Sequence, residues 1–283
     1  VSRTVLGYHL SMRKEVSKID VLRAIKMALT VWKKPKITCG DHAYLFNANL
    51  PSAVAEEYAG LCWDETSVDG ALAETCKTVE KVLENVVGSK LLHPKNSFSV
   101  RRNKDDRPFI EAFFRHLGSW GFQQLGNTTG SSPKTKPAKK PDEIALTSQF
   151  QYEYAKEILD VLIANYNATP HSSLGGRTPL EYFKFRFLQL NQKRYADQSS
   201  VMHVVSFRKL CTVLGGYKSG RLPFINFQHG RYGSNILAQR YDLVGEKIWI
   251  TTHIEDDIRI VMASTQDGQP LGLLTVRSPW SRL

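Results

Sequence analysis

The chain has 283 residues, of which 42% are apolar and 23% are charged, and this composition provides an ordinary core in one or two domains. Its formal net charge of +11 favours a polyanionic partner, most often nucleic acid, although a merely basic surface has the same charge. The sequence contains no signal peptide, no apolar run of membrane-spanning length and no C-x-x-C pair. It therefore supports neither secretion, nor a membrane span, nor a zinc knuckle, and a reducing cytoplasmic setting is the default.

The first part of the chain predicts strands and helices in alternation. Residues 4–10 are typical of a strand, and because a domain rarely begins in mid-sheet, we expect the chain to be a fragment of a longer protein. Helical spacing of apolar residues predicts a helix over residues 17–32 that Ser17 caps. The further predictions are a short helix over 53–58, a buried strand over 61–69, a helix over 72–87 ending at Gly88, a short strand over 90–93 and a helix over 108–120.

The second part begins with a break in the pattern. Residues 126–141 are rich in glycine, serine, threonine, proline and lysine, which predicts a flexible basic segment. Helices are predicted over 150–166 and 178–192, and a domain boundary near residue 195. Beyond it, short β-rich runs separated by glycine turns predict a small antiparallel barrel or sandwich, with strands over 201–205, 222–227, 247–252, 258–263 and 271–276.

Asp69 is the first candidate metal ligand. It ends the apolar run 61–69 and precedes Gly70, so its carboxylate would be open to solvent at the end of a strand. Two Mg²⁺ ions held by such acids can activate one oxygen and stabilise another in phosphoryl transfer. Asp-Gly is also a common turn pair, and Asp41 and Asp64 are rival acids, so both interpretations stay open.

Glu111, on the predicted helix 108–120, is the second candidate. Arg107 and Arg115 lie four residues to either side, which fits ordinary helix ion pairs and equally fits a metal ligand between phosphate-binding arginines. The preceding basic loop is either a solvated surface or a phosphate contact. Its other basic residues are Lys95, Arg101, Arg102 and Lys104. The residues expected on the packed side of the helix are Phe109, Ile110, Phe113, Phe114 and Leu117.

The most specific pattern spans residues 165–181. It contains a helix end, a turn in which His171 is a structural residue or a ligand, and a Thr-Pro helix start. As a sequence it resembles the "YN-x-x-PHS-x-L-x-G-x-TP-x-E" signature of retroviral-integrase-like transposase cores. Residues 107–114 resemble the "R-P-x-I/V-E-R-F-F" helix of that family, with Ala112 where arginine is usual. Residues 68–70 resemble its "DNG" segment without the asparagine, and the carboxy-terminal part resembles the barrel of Mu-type transposases.

This resemblance implies an α/β RNase-H-like integrase core over residues 1–195, lacking its first strand, followed by a Mu-type β-barrel over residues 196–283. It implies a DDE-type transposase in which Asp69 and Glu111 are the second and third catalytic acids. The first acid is expected upstream of Val1, so the fragment alone is expected to be poorly active. The implied cofactor is Mg²⁺, as two ions for which Mn²⁺ can substitute. The implied activity is nicking of transposon 3′ ends followed by their transfer into target DNA.

The resemblance also implies partners. The expected partners are DNA, as transposon ends and target, further copies of the chain in a homo-multimer, and an AAA⁺ ATPase, with no membrane. The implied location is the bacterial cytoplasm at the nucleoid. The DNA-binding residues would be Lys95, Arg101, Arg102, Lys104, Arg107 and Arg115. Two alternatives remain, a catalytically degenerate DNA-binding or assembly module of a transposition complex and an RNase-H-like nuclease.

Overall fold

The computed structural model describes residues 2–11, 15–38, 42–68, 71, 73–92, 108–120, 143, 146–147, 149–253 and 259–277. The chain divides into two compact units, Val1–Val201 and Met202–Leu283. The boundary predicted near residue 195 thus lies inside the first unit. Among the helices that the structure describes, none combines the length and the hydropathy needed to cross a membrane.

The amino-terminal segment, residues 2–11, forms no ladder with any described strand, so the strand predicted there is wrong. A buried side chain takes the place of a neighbouring strand. The Val5 N–H donates to Asn167 Oδ1 at 2.9 Å, and Asn167 Nδ2 donates to the Val5 carbonyl at 3.0 Å. The segment also lies directly on a helix, since a Cβ added to Gly7 would come 2.5 Å from the Ala28 nitrogen.

Local sequence signals explain where the first helices begin and end. These helices are α1 (Lys18–Leu29), α2 (Pro51–Val54, followed by a 3₁₀ turn at Glu56–Tyr58) and α3 (Lys77–Val82, continued by a π-helical turn at Leu83–Val87). Ser17 is the N-cap of α1, as predicted, and its N–H donates to Asp20 Oδ2 at 2.8 Å. Gly88 ends the π-helical turn with a φ of 68°, a left-handed conformation that glycine adopts without a Cβ clash.

Two short strands pair in parallel, β1 (Glu65–Ser67) and β2 (Lys90–Leu92). The prediction of a buried strand over residues 61–69 is wrong, because β1 is three residues long and none of the described residues of this run is fully buried. The start of the run pairs elsewhere. The Cys62 N–H donates to the Arg194 carbonyl at 2.8 Å, and Leu61 forms an isolated bridge with Tyr195.

Three longer helices follow, α4 (Pro108–Trp120), α5 (Tyr152–Ala168) and α6 (Pro179–Leu188). The predicted limits of α4 are confirmed, but its apolar residues do not all pack. Phe113 and Leu117 are buried, whereas Phe109, Ile110 and Phe114 are exposed by 43%, 44% and 62%. The reason is that only one row of α4 faces the core of this unit. That core contains Trp32, Ala48, Leu50, Phe113, Leu117, Leu159, Ile163, Ala164 and Tyr166.

A short helix, α7 (Gln198–His203), occupies the place where residues 201–205 predicted a strand. Asp197 caps it, since the Asp197 carboxylate accepts from the Ser200 N–H at 2.8 Å and from the Ser199 hydroxyl at 2.5 Å. These bonds favour the charged form and lower the pKa of Asp197 to about 2. The strand predicted over residues 201–205 is wrong, because residues 201–203 belong to the helix that this cap begins.

The second unit contains a closed antiparallel barrel in the order β3-β4-β5-β8-β7-β6. Its strands are β3 (Ser206–Gly216), β4 (Arg221–Phe227), β5 (Gly230–Gly233), β6 (Lys247–His253), β7 (Ile260–Ser264) and β8 (Pro270–Arg277), with helix α8 (Asn235–Gln239) after β5. Because the sheet closes on itself, the prediction of a barrel is confirmed and the alternative of a sandwich is wrong. The strands β3 and β5 are additions to the sequence prediction, and Tyr232 of β5 is completely buried in the barrel core.

Candidate functional site

Glu111 lies in the first turn of α4, with its side chain exposed to solvent. An acid at this position is favoured by the partial positive charge of a helix amino terminus. Arg115 follows one turn later and is also exposed. Among the described residues, no hydrogen bond or ion pair engages Glu111, so the ion pair with Arg115 that the sequence allows is not formed. As far as the described residues go, the Glu111 carboxylate is therefore open to a ligand.

The other predicted site residues lie outside the described residues. These are Asp69 and the basic residues Lys95, Arg101, Arg102, Lys104 and Arg107. Asp69 follows the last residue of β1, Ser67, by two positions in the sequence. Within the part of the chain that the structure describes, no group of three or more His, Cys, Asp or Glu side chains is placed to hold a metal ion.

The rival acid Asp64 has a structural partner. Arg194 Nη2 donates to Asp64 Oδ1 at 2.6 Å, and Arg194 Nη1 donates to the Val87 carbonyl at 3.1 Å. Asp64 thereby helps to join the end of α3 to the segment that pairs with Leu61 and Cys62. Asp64 is thus engaged in a surface ion pair, while Asp41 lies outside the described residues.

A cleft of about 630 Å³ opens between residues 3–9, α1 and α4, and Glu111 is not among the residues that line it. Its walls are mostly apolar, and they include Phe109, Ile110 and Phe114, which explains why these side chains of α4 are exposed. Gly7 and Ala28, which touch each other, form part of its floor. Helix α4 thus packs against the core through Phe113 and Leu117, while its other apolar side chains face the cleft.

The segment 165–181 folds as a scaffold that holds distant parts of the first unit together. Asn167 binds Val5. His171 caps the 3₁₀ turn Ser172–Leu174, since His171 Nδ1 accepts from the Ser173 N–H at 3.2 Å. Thr178 forms a reciprocal capping box with Glu181 at the start of α6. Each of these signature residues therefore has a local structural function.

The same segment brings a basic residue from the amino terminus next to α4. Arg3 Nη1 lies 3.2 Å from His171 Nε2, and the Arg3 guanidinium lies 4.5 Å from the centre of the Phe109 ring. The His171 ring is 6.2 Å from the His116 ring, centre to centre. Burial, followed by the charges of Arg3 and His116, lowers the pKa of His171, so its neutral form is favoured. Sequence reasoning missed this cluster because its members are far apart in the chain.

A buried carboxylate in α5 was also missed. Asp160 is 4% exposed, and its oxygens accept from the Tyr8 hydroxyl, from the Tyr44 hydroxyl at 2.6 Å and from Trp32 Nε1 at 3.2 Å. Burial raises the pKa of Asp160 to about 7, and burial together with the charge of Glu157 raises the pKa of Tyr44 to about 12. The available signal was an aspartate inside the apolar stretch 158–163 of a predicted helix.

Asp160 is enclosed by side chains and joins three segments, so its place in the structure indicates an architectural function rather than a ligand site.

The candidate site as a whole offers the exposed carboxylate of Glu111, the exposed Arg115 one turn away and a cluster of donors around Arg3 and His171. In comparisons with known proteins, no protein-family model matches this chain and no curated protein matches it.

Proposed function

We propose that this chain is the catalytic region of a DDE-type DNA transposase, a polynucleotidyl transferase that nicks transposon 3′ ends and joins them to target DNA. The observation that carries the proposal is Glu111, an exposed acid in the first turn of α4 that no described residue engages. It occupies the glutamate position of the resemblance over residues 107–114. The signature over residues 165–181 and the net charge of +11 support the same function.

The chemistry of the donors fits the implied cofactor. Carboxylate oxygens are the ligands that Mg²⁺ prefers, and the exposed Glu111 supplies them. One carboxylate does not hold two ions, so the proposal assigns Asp69 as a second ligand, and a further aspartate upstream as the third. When bound, Mg²⁺ would favour ionisation of the attacking oxygen and neutralise charge on the leaving oxygen. Arg115 would hold a phosphate of the DNA beside Glu111.

The fold assignment belongs to the proposal. An RNase-H-like integrase core over residues 1–195 would include the parallel pair β1–β2 and the helices α1, α4 and α5. The barrel of β3–β8 would be the Mu-type domain over residues 196–283. We also propose that the protein acts as a homo-multimer on DNA, with an AAA⁺ ATPase partner, at the bacterial nucleoid.

Strand joining tests this function. Duplexes with a pre-cut 3′-hydroxyl transposon end are incubated with target DNA, Mg²⁺ and the full-length protein. The proposal predicts joined products that disappear when Asp69→Asn is introduced. Cleavage without joining would support the nuclease instead, and DNA binding without either reaction would support the assembly module. Joining by the Asp69→Asn protein at the wild-type rate would overturn the proposed function.

A further inference from the structure

His171 and Arg3 face each other with an unusual set of hydrogen-bonding groups. His171 Nδ1 accepts from the Ser173 N–H, so the proton of the neutral ring is on Nε2. That Nε2–H points toward Arg3 Nη1, 3.2 Å away, and a guanidinium has only donors. In this tautomer two donors meet, and the described residues place no acceptor on either nitrogen.

The other tautomer makes the Arg3 contact a hydrogen bond and moves the conflict to the N–H of the exposed Ser173. With the proton on Nδ1, the His171 ring would donate to the Ser173 hydroxyl, 2.9 Å away, and Nε2 would accept from Arg3. The backbone N–H of Ser173 would then face a donor instead of an acceptor, and the 3₁₀ turn would lose its cap. An external acceptor that receives both the Nε2–H and a guanidinium N–H satisfies these groups and also keeps the cap of the 3₁₀ turn.

The surroundings favour an anion as that acceptor. The Arg3 guanidinium lies on the Phe109 ring, and Arg3 has a φ of 58°, a left-handed conformation that is rare for a side chain of this size. His116 and His171 line an open pocket of about 150 Å³ together with Thr169, Ser172 and Tyr166. His116 adds a further nitrogen-bearing ring beside His171.

The cluster lies on a different face of α4 from Glu111. Phe109 and His116 are seven residues apart, which places them almost in line along the helix, whereas Glu111 is about 200° around the axis from Phe109. A ligand at Arg3 and His171 is therefore separate from one at the Glu111 carboxylate. The two sites can be changed independently.

We propose that Arg3 and His171, with His116 beside them, bind a phosphate group of a nucleic-acid backbone. A phosphate oxygen accepts several hydrogen bonds, and charge-assisted bonds from arginine are the usual phosphate contacts in proteins. The anion site stands on the geometry of this cluster alone. Its assignment to a nucleic-acid phosphate rests on the proposed function.

The first experiment tests the anion site with inorganic phosphate. The imidazole ¹⁵N signals of His171 are followed by NMR while phosphate replaces chloride at constant ionic strength. We expect a saturable shift at His171, no shift at the exposed His229 of the barrel, and loss of the His171 response in Arg3→Gln. A His171 signal that is the same in phosphate and chloride would overturn the anion site.

The second experiment asks whether the phosphate comes from nucleic acid. Binding of a fluorescent duplex is measured over a series of salt concentrations. Arg3→Gln should reduce the slope of log K against log[salt] by about 0.9, the value of one phosphate contact. The matched control is Arg186→Gln, an equal loss of charge on the exposed surface of α6, which should leave the slope unchanged. Equal reductions in both variants would contradict a specific contact.

A conservative variant separates binding from folding. Arg3→Lys keeps the charge, so its slope should return to the wild-type value, while circular dichroism reports whether either Arg3 variant has lost its fold. A slope that Arg3→Lys fails to restore in a folded protein would overturn the phosphate contact. A phosphate response at His171 with an unchanged duplex slope would overturn the nucleic-acid source. A reduced slope, together with a full-length protein that joins no DNA strands, would leave this site standing and refute the transposase.

Discussion

Asn167 binds both backbone groups of Val5 through its side-chain amide. Asn167 Nδ2 donates to the Val5 carbonyl at 3.0 Å, and Oδ1 accepts from the Val5 N–H at 2.9 Å. Asn167 is completely buried, and its Nδ2 also donates to the Asn49 carbonyl at 3.2 Å. One side chain at the end of α5 thereby holds the amino-terminal segment that forms the wall of the cleft beside α4.

Asn167→Asp should destabilise the first unit. The substitution removes the Nδ2 donor and leaves a buried carboxylate facing the carbonyls of Val5 and Asn49, so we expect a loss of about 3 kcal/mol in the free energy of unfolding. Urea denaturation measures it. The control is Asn191→Asp on the exposed surface, which should change the midpoint little. Equal midpoints for the two variants would show that Asn167 does not hold this segment.

Asp160 should make stability depend on pH. Its pKa is raised by burial to about 7, so its favourable contribution is complete below the unfolded pKa near 4 and is lost as pH rises through 7. The three donors to Asp160 act against this effect, which reduces its size.

The variant for this test is Asp160→Asn, which is neutral at every pH. We expect wild-type stability relative to Asp160→Asn to fall by about 2–4 kcal/mol between pH 4 and pH 8. Urea midpoints over this range give the difference. A difference that is constant or that grows with pH would mean that the donors, rather than burial, determine the pKa of Asp160.

Asp197 should show the opposite pH dependence. Hydrogen bonds from Ser199 and Ser200 lower the pKa of Asp197 to about 2, so its stabilisation is present above pH 4 and is lost as pH falls toward 2. Asp197→Ala should therefore lower the melting temperature at pH 7 and change it little at pH 2. Asp197→Asn, which can still accept a hydrogen bond at the cap, is the control and should retain most of the stability at pH 7. Identical melting temperatures for wild type and Asp197→Ala at pH 7 would rule out this cap.

Sequence patterns predicted the elements whose signals are local. The limits of α4 follow from its proline start and apolar spacing, and Gly88 ends its turn through its own left-handed conformation. The elements that failed depend on distant partners. The segment around Val5 pairs with a side chain instead of a strand. The strand β5 has four residues, which is too short to give a recognisable strand pattern in the sequence.

The candidate site likewise contains residues that local sequence signals indicate and contacts that only the fold creates. Glu111 could be found because its place in the first turn of a helix is a local property. The contact between Arg3 and His171 could not be found, because 168 positions separate them and only the folded scaffold of residues 165–181 brings them together. Asp160 was hidden for a related reason, since its donors come from Tyr8, Trp32 and Tyr44.

The most direct measurement of the central claim compares two exposed glutamates that occupy equivalent positions in two helices. Glu111 and Glu153 are both exposed acids in the first turn of a helix, α4 and α5 respectively. Mg²⁺-dependent strand joining is measured for the full-length protein carrying Glu111→Gln or Glu153→Gln. We predict that Glu111→Gln lowers the joining rate by about 100-fold or more, because the substitution removes a carboxylate that would hold the Mg²⁺ which stabilises transition-state charge. Glu153→Gln should retain the wild-type rate. Wild-type joining by Glu111→Gln would contradict the assignment of Glu111 as a catalytic metal ligand.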